Sequence, residues 1–284
     1  MRSREIRKLH FKSESITSKG SGKMNEDAVL KVPTLGVFGI FDGATSLSPY
    51  TDSKGRTGGY IAADTARESF GSCTPPFEQM LSTANDAIYE YMRRAGVDTS
   101  DKVNLWATSA AVVRLHNDSF EWICVSDSLV LTINNDGTHR ILPNSYDHDS
   151  EVLSLMKKLA REGDPNPRLH VIKELRDLRR QMNKTYGFIA GEHTVEFIFD
   201  GKESLENVSD ILIFSDGMFP PKANPLDEID TEAIVREYKK GGLKGWLDYV
   251  RKIEDTDPDL LKYPRFKQHD DASAIAISFE GSSL

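Results

Sequence analysis

The chain has 284 residues, enough for one large domain or two small ones, with the apolar (38%) and charged (28%) content of an ordinary soluble globular protein. Its net charge of -8 argues against a general nucleic-acid binder, because phosphate backbones attract basic surfaces. No stretch reaches the roughly 18 apolar residues of a membrane span, and the basic N-terminus lacks the apolar segment of a signal peptide. We therefore expect a cytoplasmic protein without a membrane or nucleic-acid partner.

The first part of the chain combines short strands with a glycine-rich loop. An edge strand is predicted around residues 6–11, and residues 19–23 form a flexible loop without the spacing of a nucleotide-binding loop. Asn25-Glu26-Asp27 then precedes a short strand over residues 28–32. Two acids at the start of a strand are usually solvated, so on their own they indicate little.

The stretch Gly36-Val-Phe-Gly-Ile-Phe-Asp-Gly43 is an almost unbroken apolar run that ends at Asp42. Such a run, bounded by turn residues, is typical of a strand buried on both faces. An ionised carboxylate at the end of a buried strand is costly unless something compensates its charge.

A polar loop with turn residues follows over residues 44–57. Gly58-Gly59 opens a helix that runs to about Phe70, and a second helix begins after Pro75-Pro76. Apolar residues recur on one face of the second helix as far as Met92, and Gly96 is a plausible C-terminal cap. We expect both helices to cover a sheet, with the apolar stripe in the core.

Residues 104–140 are predicted to form an antiparallel meander. Within it, Trp122-Ile-Cys-Val-Ser126 leads directly to Asp127. Cys124 lies in this strand, and with only one other cysteine in the chain, Cys73, we expect two reduced structural thiols. No His or Cys cluster has the spacing of a zinc site.

The second half of the chain begins with a helix capped by Asp149 and a charged helix over residues 168–184, whose basic residues are interpreted as a solvated face. Strands are predicted at 187–190, 194–199 and 211–214, and the last of these is followed by Asp216-Gly217. A variable segment, residues 218–268, contains two short helices near 231–238 and 242–253. Asp270-Asp271 then opens the last strand.

Four predicted strands thus place an aspartate at one end: Asp42, Asp127, Asp216 and Asp270. Core packing does not explain this pattern, whereas carboxylates converging on the hard cations Mg²⁺ or Mn²⁺ do. Asp42 is the candidate bridging ligand, and Gly43 lets a backbone carbonyl approach a metal. Asp216 and Asp270 would complete the ligands of one ion, and Glu26 would bind the other ion through a water molecule. Because these residues span most of the sequence, we expect one domain over residues 1–284, with a core of about 16–279.

Five motifs in this order resemble the metal-dependent protein phosphatase (type 2C) family: Asn25-Glu26-Asp27, Phe41-Asp42-Gly43, Ser126-Asp127-Ser128, Ser215-Asp216-Gly217 and Asp270-Asp271-Ala-Ser273. The resemblance implies an αββα sandwich of two antiparallel sheets flanked by helices. It also implies hydrolysis of phosphoserine or phosphothreonine in proteins by a binuclear Mn²⁺ or Mg²⁺ centre. By position, the direct metal ligands are Asp42, Gly43, Asp216 and Asp270, with Glu26 and Asp27 acting mainly through water and Asp127 linked to a third ion.

The chain also departs from this family pattern. Gly22 stands where an arginine usually holds the substrate phosphate, which leaves Lys19, Lys23 or, in the inserted loop, Arg56 as candidate phosphate ligands. Ala44 stands where a His or Met is common, so a histidine that could act as general acid is missing from its usual place. Leu129 replaces an arginine, and Pro220 replaces an aspartate of the third metal site, which is therefore incomplete.

Two other functions remain open beside a protein phosphatase. One is a pseudophosphatase that serves as a binding or sensor module, which the residues at positions 22 and 44 suggest. The other is a phosphatase for a small phosphorylated metabolite, because the inserted loop could reshape the cleft. His148 and His269 each lie beside acids and are interpreted as surface histidines rather than acid/base groups.

Overall fold

The computed structural model describes residues 9–44, 47–72, 74–144 and 147–279. The strands in these ranges are β1 (Phe11–Ser18), β2 (Asp27–Val32), β3 (Val37–Ala44), β4 (Ala107–Leu115), β5 (Ser119–Val125), β6 (Leu129–Asn134), β7 (His139–Ile141), β8 (Ile198–Ser204), β9 (Val208–Phe214) and β10 (Ala272–Phe279). The helices are α1 (Gly58–Phe70), α2 (Phe77–Arg94), α3 (Ser150–Arg161), α4 (Pro167–His170), α5 (Ile172–Arg180) and α6 (Thr231–Asp255). Cys73 and the start of the predicted edge strand lie outside the described residues.

The strands form two sheets of five, in the orders β1-β10-β9-β6-β7 and β2-β3-β4-β5-β8. Every neighbouring pair that hydrogen-bonds within these sheets is antiparallel. An apolar cluster that includes Phe38, Ile40, Trp122, Ile211 and Ile275 draws on strands of both sheets. The two sheets therefore pack face to face, since side chains alternate between the faces of a strand.

Helices cover the outer face of each sheet. Phe41 of β3 joins Phe70 of α1 and Met80 of α2 in a second buried cluster, which confirms that the apolar stripe of α2 belongs to the core. On the other side, the ring of Trp246 in α6 meets that of Phe214 in β9 edge to face, with centroids 4.9 Å apart. The predicted αββα sandwich is confirmed.

The predicted single meander over residues 104–140 is wrong in one respect. β5 pairs with β4 in one sheet, whereas β6 pairs with β9 in the other, so the chain changes sheets between them. The crossing is a tight turn in which Ser126 has a positive φ of 63°. The side-chain amide of Asn144 donates to the carbonyls of Ser126 (2.6 Å) and Ser128 (3.2 Å) and so holds this turn.

Other element boundaries also differ from the predictions. Residues 187–190 make only an isolated bridge, Thr108 with Ile189, and the next strand begins at Ile198, directly after Phe197 with its φ of 57°. The predicted helix over 168–184 is two short helices, α4 and α5. The two helices predicted within 231–253 are confirmed as halves of α6 that meet at a kink, where Gly242 has a φ of 64°. Among the described residues, no helix is both long and apolar enough to cross a bilayer.

Candidate metal centre

Four aspartates at or near the ends of strands line one cavity of about 170 Å³. Asp42, Asp127, Asp216 and Asp270 all line it, together with Gly43. Asp42 belongs to β3, Asp127 to the turn where the chain changes sheets, Asp216 to the 3₁₀ turn after β9, and Asp270 to the segment before β10. The cavity therefore lies where strands of both sheets end.

The strand register brings a fifth carboxylate beside the first. Asp27 of β2 lies directly opposite Asp42 of β3. The hydroxyl of Ser215, at the end of β9, donates to Asp27 Oδ2 at 2.9 Å, and the same hydroxyl accepts from the Ser273 amide at 2.9 Å. Asp27 is thus held to β9 and β10 of the other sheet, so the carboxylate cluster spans both sheets.

Burial is the main physical cause of the unusual titration of these acids. It raises the pKa of Asp42 well above its usual range, and the charges of Asp27 and Asp216 raise it further. Burial likewise raises the pKa of Asp216 well above the ordinary value, raises that of Asp127, and brings that of Asp27 to about 7. Carboxylates that are costly to ionise together gain most from a cation placed between them.

The cluster also contains buried oxygens whose hydrogen-bonding capacity is unused. Asp27 Oδ1 and Asp216 Oδ1 are buried and accept no hydrogen bond. Within the described ranges, no group of three or more His, Cys, Asp or Glu side chains is placed to hold an ion as it stands. The donor set is nevertheless all oxygen, as Mg²⁺ and Mn²⁺ prefer, and two of its oxygens lack partners, so the residues present fit a hard divalent cation after side-chain adjustment.

Gly43 is held close to the start of α1. A Cβ added at Gly43 would come within 2.4 Å of the Gly59 carbonyl oxygen, and a Cβ at Gly59 would come within 2.8 Å of Glu26 Oε1. Any side chain larger than hydrogen would force these segments apart. The Thr57 hydroxyl donates to Glu26 Oε1, which places the buried Glu26 beside the helix start rather than in the lining of the cavity.

Asp271 differs from its neighbour Asp270. Its side chain is buried and accepts from the backbone amides of Gly20 (2.7 Å) and Glu26 (2.8 Å). Asp270 instead pairs with Lys267, with 2.6 Å between Nζ and Oδ1. Of the two adjacent acids, Asp270 faces the cavity, while Asp271 fastens the segment before β2 to the start of β10.

The three cations predicted to hold phosphate do not line the cavity. Lys19 and Lys23 are exposed, and the loop between them is docked through its backbone, because a Cβ at Gly20 would lie 2.4 Å from the His269 carbonyl oxygen. The guanidinium of Arg56 pairs with Asp52 at 2.8 Å inside the inserted loop. The loop at residues 19–23, which was predicted to be flexible, contacts residues 269–271 through backbone hydrogen bonds.

Other basic side chains line the cavity instead: Arg168, Arg179 and Lys267. The interpretation of residues 168–184 as a solvated face is wrong for Arg179, which is half-buried, and incomplete for Arg168, which is exposed at the cavity. Their helices are short and lie over the cavity, which the charge pattern alone does not reveal. Burial alone would lower the pKa of Lys267, but nearby acids, chiefly Asp270, raise it above its usual value.

His148 also belongs to the lining of this cavity, whereas His269 pairs with Asp255 at 2.9 Å elsewhere. The imidazole of His148 stacks on Tyr186 with ring centroids 4.4 Å apart, and its Nε2 lies 3.6 Å from Asp127. The prediction of a surface histidine is therefore wrong for His148, whose side chain is only 9% exposed. Its position beside Asp147 and Asp149 in the sequence was the available signal.

An adjoining cavity of about 160 Å³ shares several of these residues, among them Asp127, Asp216 and Asp270. The variable segment supplies much of its remaining surface, including Phe219, Pro220 and residues 264–267. Pro220, at the position where an additional metal-binding aspartate was expected, thus contributes an apolar surface next to the carboxylates.

The arrangement of two antiparallel sheets between helices is the fold of solved PP2C-type serine/threonine phosphatases. The catalytic domain of the phosphatase PstP in complex with two manganese ions shares this fold, with a TM-score of 0.60 at 13% identity over 96% of this chain and 100% of that one. Stp1 from Staphylococcus aureus gives 0.58 at 15% identity over 96% of both chains. PstP/Ppp from Mycobacterium tuberculosis gives 0.59 at 14% identity over 95% and 99%.

No protein-family model matches the sequence, and no curated protein matches it either. The similarity to solved phosphatases therefore lies in the fold, at sequence identities of 13–15%.

Proposed function

We propose that the chain is a phosphatase for phosphoserine and phosphothreonine in proteins, with two Mn²⁺ or Mg²⁺ ions held by the carboxylate cluster. The observation that carries this proposal is the meeting of Asp42, Asp127, Asp216 and Asp270 at one cavity. Burial raises the pKa of three of them, and Asp216 retains an unpartnered buried oxygen. A protein without a cation partner gains nothing from such an arrangement.

The residues divide into groups by their position around the cavity. Asp42 would be a ligand of both ions, with the Gly43 carbonyl beside it. Asp216 and Asp270 would complete the ligands of one ion. Glu26 and Asp27 would hold the second ion mainly through water, and Asp127 lines the cavity without the aspartate that would complete a third site, because Pro220 occupies that position. When bound, the metal pair would activate a water molecule and neutralise charge on the phosphoryl group.

The surrounding chain keeps these groups in place. The Ser215 hydroxyl holds Asp27, and Thr57 holds Glu26, which limits how far either carboxylate can turn. The aromatic rings of Tyr186 and Phe188 pack around His148 and give that side of the cavity an apolar lining. Since the ligands come from residue 26 to residue 270, we propose that the whole sequence acts as one catalytic domain.

Replacing Asp42 by Asn tests this function. We expect Mn²⁺-dependent hydrolysis of p-nitrophenyl phosphate and of phosphothreonine peptides by the native chain, and a loss of at least roughly 100-fold in the variant, since even residues behind metal ligands contribute 10–100-fold. The matched control is Asp248→Asn, which removes a carboxylate on α6 that pairs with Lys244. If the native chain shows no metal-dependent turnover, or Asp42→Asn is as active as the control, the proposal is wrong.

A pseudophosphatase is the second candidate, and one observation favours it: Lys19, Lys23 and Arg56 do not line the cavity. Mn²⁺ binding measured by calorimetry, without turnover of any phosphopeptide, would identify this function. Turnover of small phosphate esters but not of phosphopeptides would instead indicate a metabolite phosphatase.

A further inference from the structure

The helical segment above the carboxylates brings two arginines into the lining of the cavity. Arg168 lies in α4 and Arg179 in the last turn of α5. Neither position is close in sequence to the glycine-rich loop where a phosphate-binding arginine was expected. We propose that Arg168 and Arg179 bind the phosphoryl group of the substrate, in place of the cation that is missing at Gly22. This inference rests on the proposed phosphatase function.

Arg179 is held by the aromatic wall of the cavity. Its guanidinium carbon lies 5.9 Å from the centroid of the Phe188 ring, within the range of a cation–π contact. The Tyr186 hydroxyl donates to the carbonyl of Leu178 at 2.9 Å, which ties the segment bearing Phe188 to the end of α5. The half-buried guanidinium is therefore oriented by its surroundings before any ligand binds.

Arg168 and Lys267 differ in whether an acidic side chain pairs with their positive charge. The ammonium of Lys267 pairs with Asp270 at 2.6 Å. Within the part of the chain that the structure describes, Arg168 pairs with no carboxylate, and the acid nearest to it in sequence, Asp164, is bound by His170. Arg168 therefore presents a positive charge that an incoming anion can meet.

The charge balance of the cavity supports this assignment. Its lining contains five carboxylates, Asp42, Asp127, Asp149, Asp216 and Asp270, against three permanently basic groups, Arg168, Arg179 and Lys267. Glu26 and Asp27, the proposed ligands of the second ion, add two more negative charges, so two divalent ions would bring the whole site to a net charge of about zero before a phosphate monoester dianion binds. Without the two arginines, the same site with its ions would carry a net charge of about -2 and would repel the substrate dianion.

Guanidinium is also the group best suited to this task. It presents paired N–H donors in a plane that matches two phosphoryl oxygens, and it stays charged at every physiological pH. Lys19 and Lys23 could offer only point charges, and they are exposed outside the cavity. The substrate class is therefore a phosphate monoester dianion that contacts the carboxylate-bound ions on one side and α4–α5 on the other.

Binding of inorganic phosphate to the Mn²⁺-loaded chain, measured by calorimetry, tests this inference independently of turnover. We expect Arg179→Ala to bind phosphate roughly 10- to 100-fold more weakly, because a hydrogen bond to a charged group contributes about 1.5–3 kcal/mol. Arg168→Ala should weaken binding in the same direction, and Arg179→Lys should recover part of the affinity. The affinity for Mn²⁺ should stay within about twofold, since the carboxylates are untouched.

The matched control is Arg161→Ala, which removes an exposed arginine from the last turn of α3 that does not line the cavity. The inference is overturned if the native chain with Mn²⁺ binds no phosphate, or if both arginine variants bind it as tightly as Arg161→Ala does. Arginine-dependent phosphate binding without turnover would refute the phosphatase function and leave this assignment standing. Turnover together with unchanged phosphate affinity in Arg179→Ala and Arg168→Ala would refute this assignment and leave the phosphatase function standing.

Discussion

When divalent ions are chelated, we expect the native protein to lose stability as the pH rises. Replacing Asp27 by Asn should remove the part of this loss that Asp27 causes. Asp27 lies opposite Asp42 across the β2–β3 pair, and one of its oxygens is buried without a partner. The other accepts from Ser215, and an asparagine oxygen can accept the same bond. The amide group of the introduced asparagine would face a neighbouring carboxylate as a donor, where Asp27 now faces it as a second acceptor.

The magnitude follows from the pKa of Asp27, which burial raises from 3.8 to about 7. Between these values the folded chain retains a proton that the unfolded chain has released, so the free energy of unfolding falls as the pH rises, by up to about 1.4 kcal/mol per pH unit. The stabilising contribution is complete below about pH 4 and lost by about pH 8. Across the accessible window from pH 5 to pH 8 the loss due to Asp27 amounts to about 2.5 kcal/mol.

The assay is urea denaturation at pH 5, 6, 7 and 8 with a chelator, at constant ionic strength. The free energy of unfolding of Asp27→Asn minus that of the native chain should rise by at least ~2.5 kcal/mol over this range. Titrating groups outside the carboxylate cluster cancel in this difference, and the lower pKa of Asp42 without the Asp27 charge adds to the rise. Adding Mn²⁺ should stabilise the native chain at pH 8 far more than the variant.

Asp210→Asn provides a control of opposite sign. Burial alone would raise the pKa of Asp210, but hydrogen bonds from Lys239, Ser278 and Ser209 bring it below its ordinary value. Its contribution to stability is therefore already complete by pH 5 and constant above it. Asp210→Asn should lower stability by the same amount at every pH tested. Parallel curves for Asp27→Asn and the native chain would refute the reasoning, because Asp27 would then ionise freely in the folded protein.

Two further substitutions test the packing around the site. Gly217→Ala would place a Cβ 1.9 Å from the carbonyl oxygen of Asp271, so we expect a loss of at least ~2 kcal/mol in urea denaturation, whereas Gly241→Ala, with no atom within 4 Å, should be nearly neutral. Thr57→Val removes both the N-cap of α1 and the hydroxyl that donates to Glu26, so the unfolding free energy should fall by ~1–2 kcal/mol. Thr57→Ser should retain most of it, and equal losses in the two variants would contradict this role of the hydroxyl.

The local patterns of the sequence predicted the aspartates near strand ends, whereas the αββα fold was implied by the resemblance of five motifs to the type 2C phosphatase family. An apolar run that stops at an acid marks the end of β5 before Asp127 and the end of β9 before Asp216, whereas β3 continues two residues past Asp42 to Ala44. The change of sheets between β5 and β6 was missed, since the apolar pattern of two successive strands is the same whether or not they pair. The decisive features are the positive φ of Ser126 and the distant Asn144 amide.

The phosphate-binding cations could not be found in the same way. Lys19, Lys23 and Arg56 were predicted as phosphate ligands because they lie close to the motifs in the sequence. Arg56, however, forms an ion pair with Asp52 in the same loop. Arg168 and Arg179 reach the cavity only because the chain folds back over it between α3 and β8. Charge in a short helix predicts a solvated face unless tertiary contacts show what the helix covers.

The packing at the two ends of the inserted loop shows what the chain loses by having Ala44 where the family usually has a His or Met. Gly58 and Gly59 still begin a helix, and a Cβ on Gly58 would lie 2.3 Å from the ring of Trp106, so the helix start is packed as closely as the backbone allows. Gly59 lies against Gly43 and Glu26. The start of α1 is therefore packed closely against the end of β3, although the inserted loop separates them in the sequence. What Ala44 removes is a side chain near the cavity, whereas the backbone that supports the carboxylates is retained.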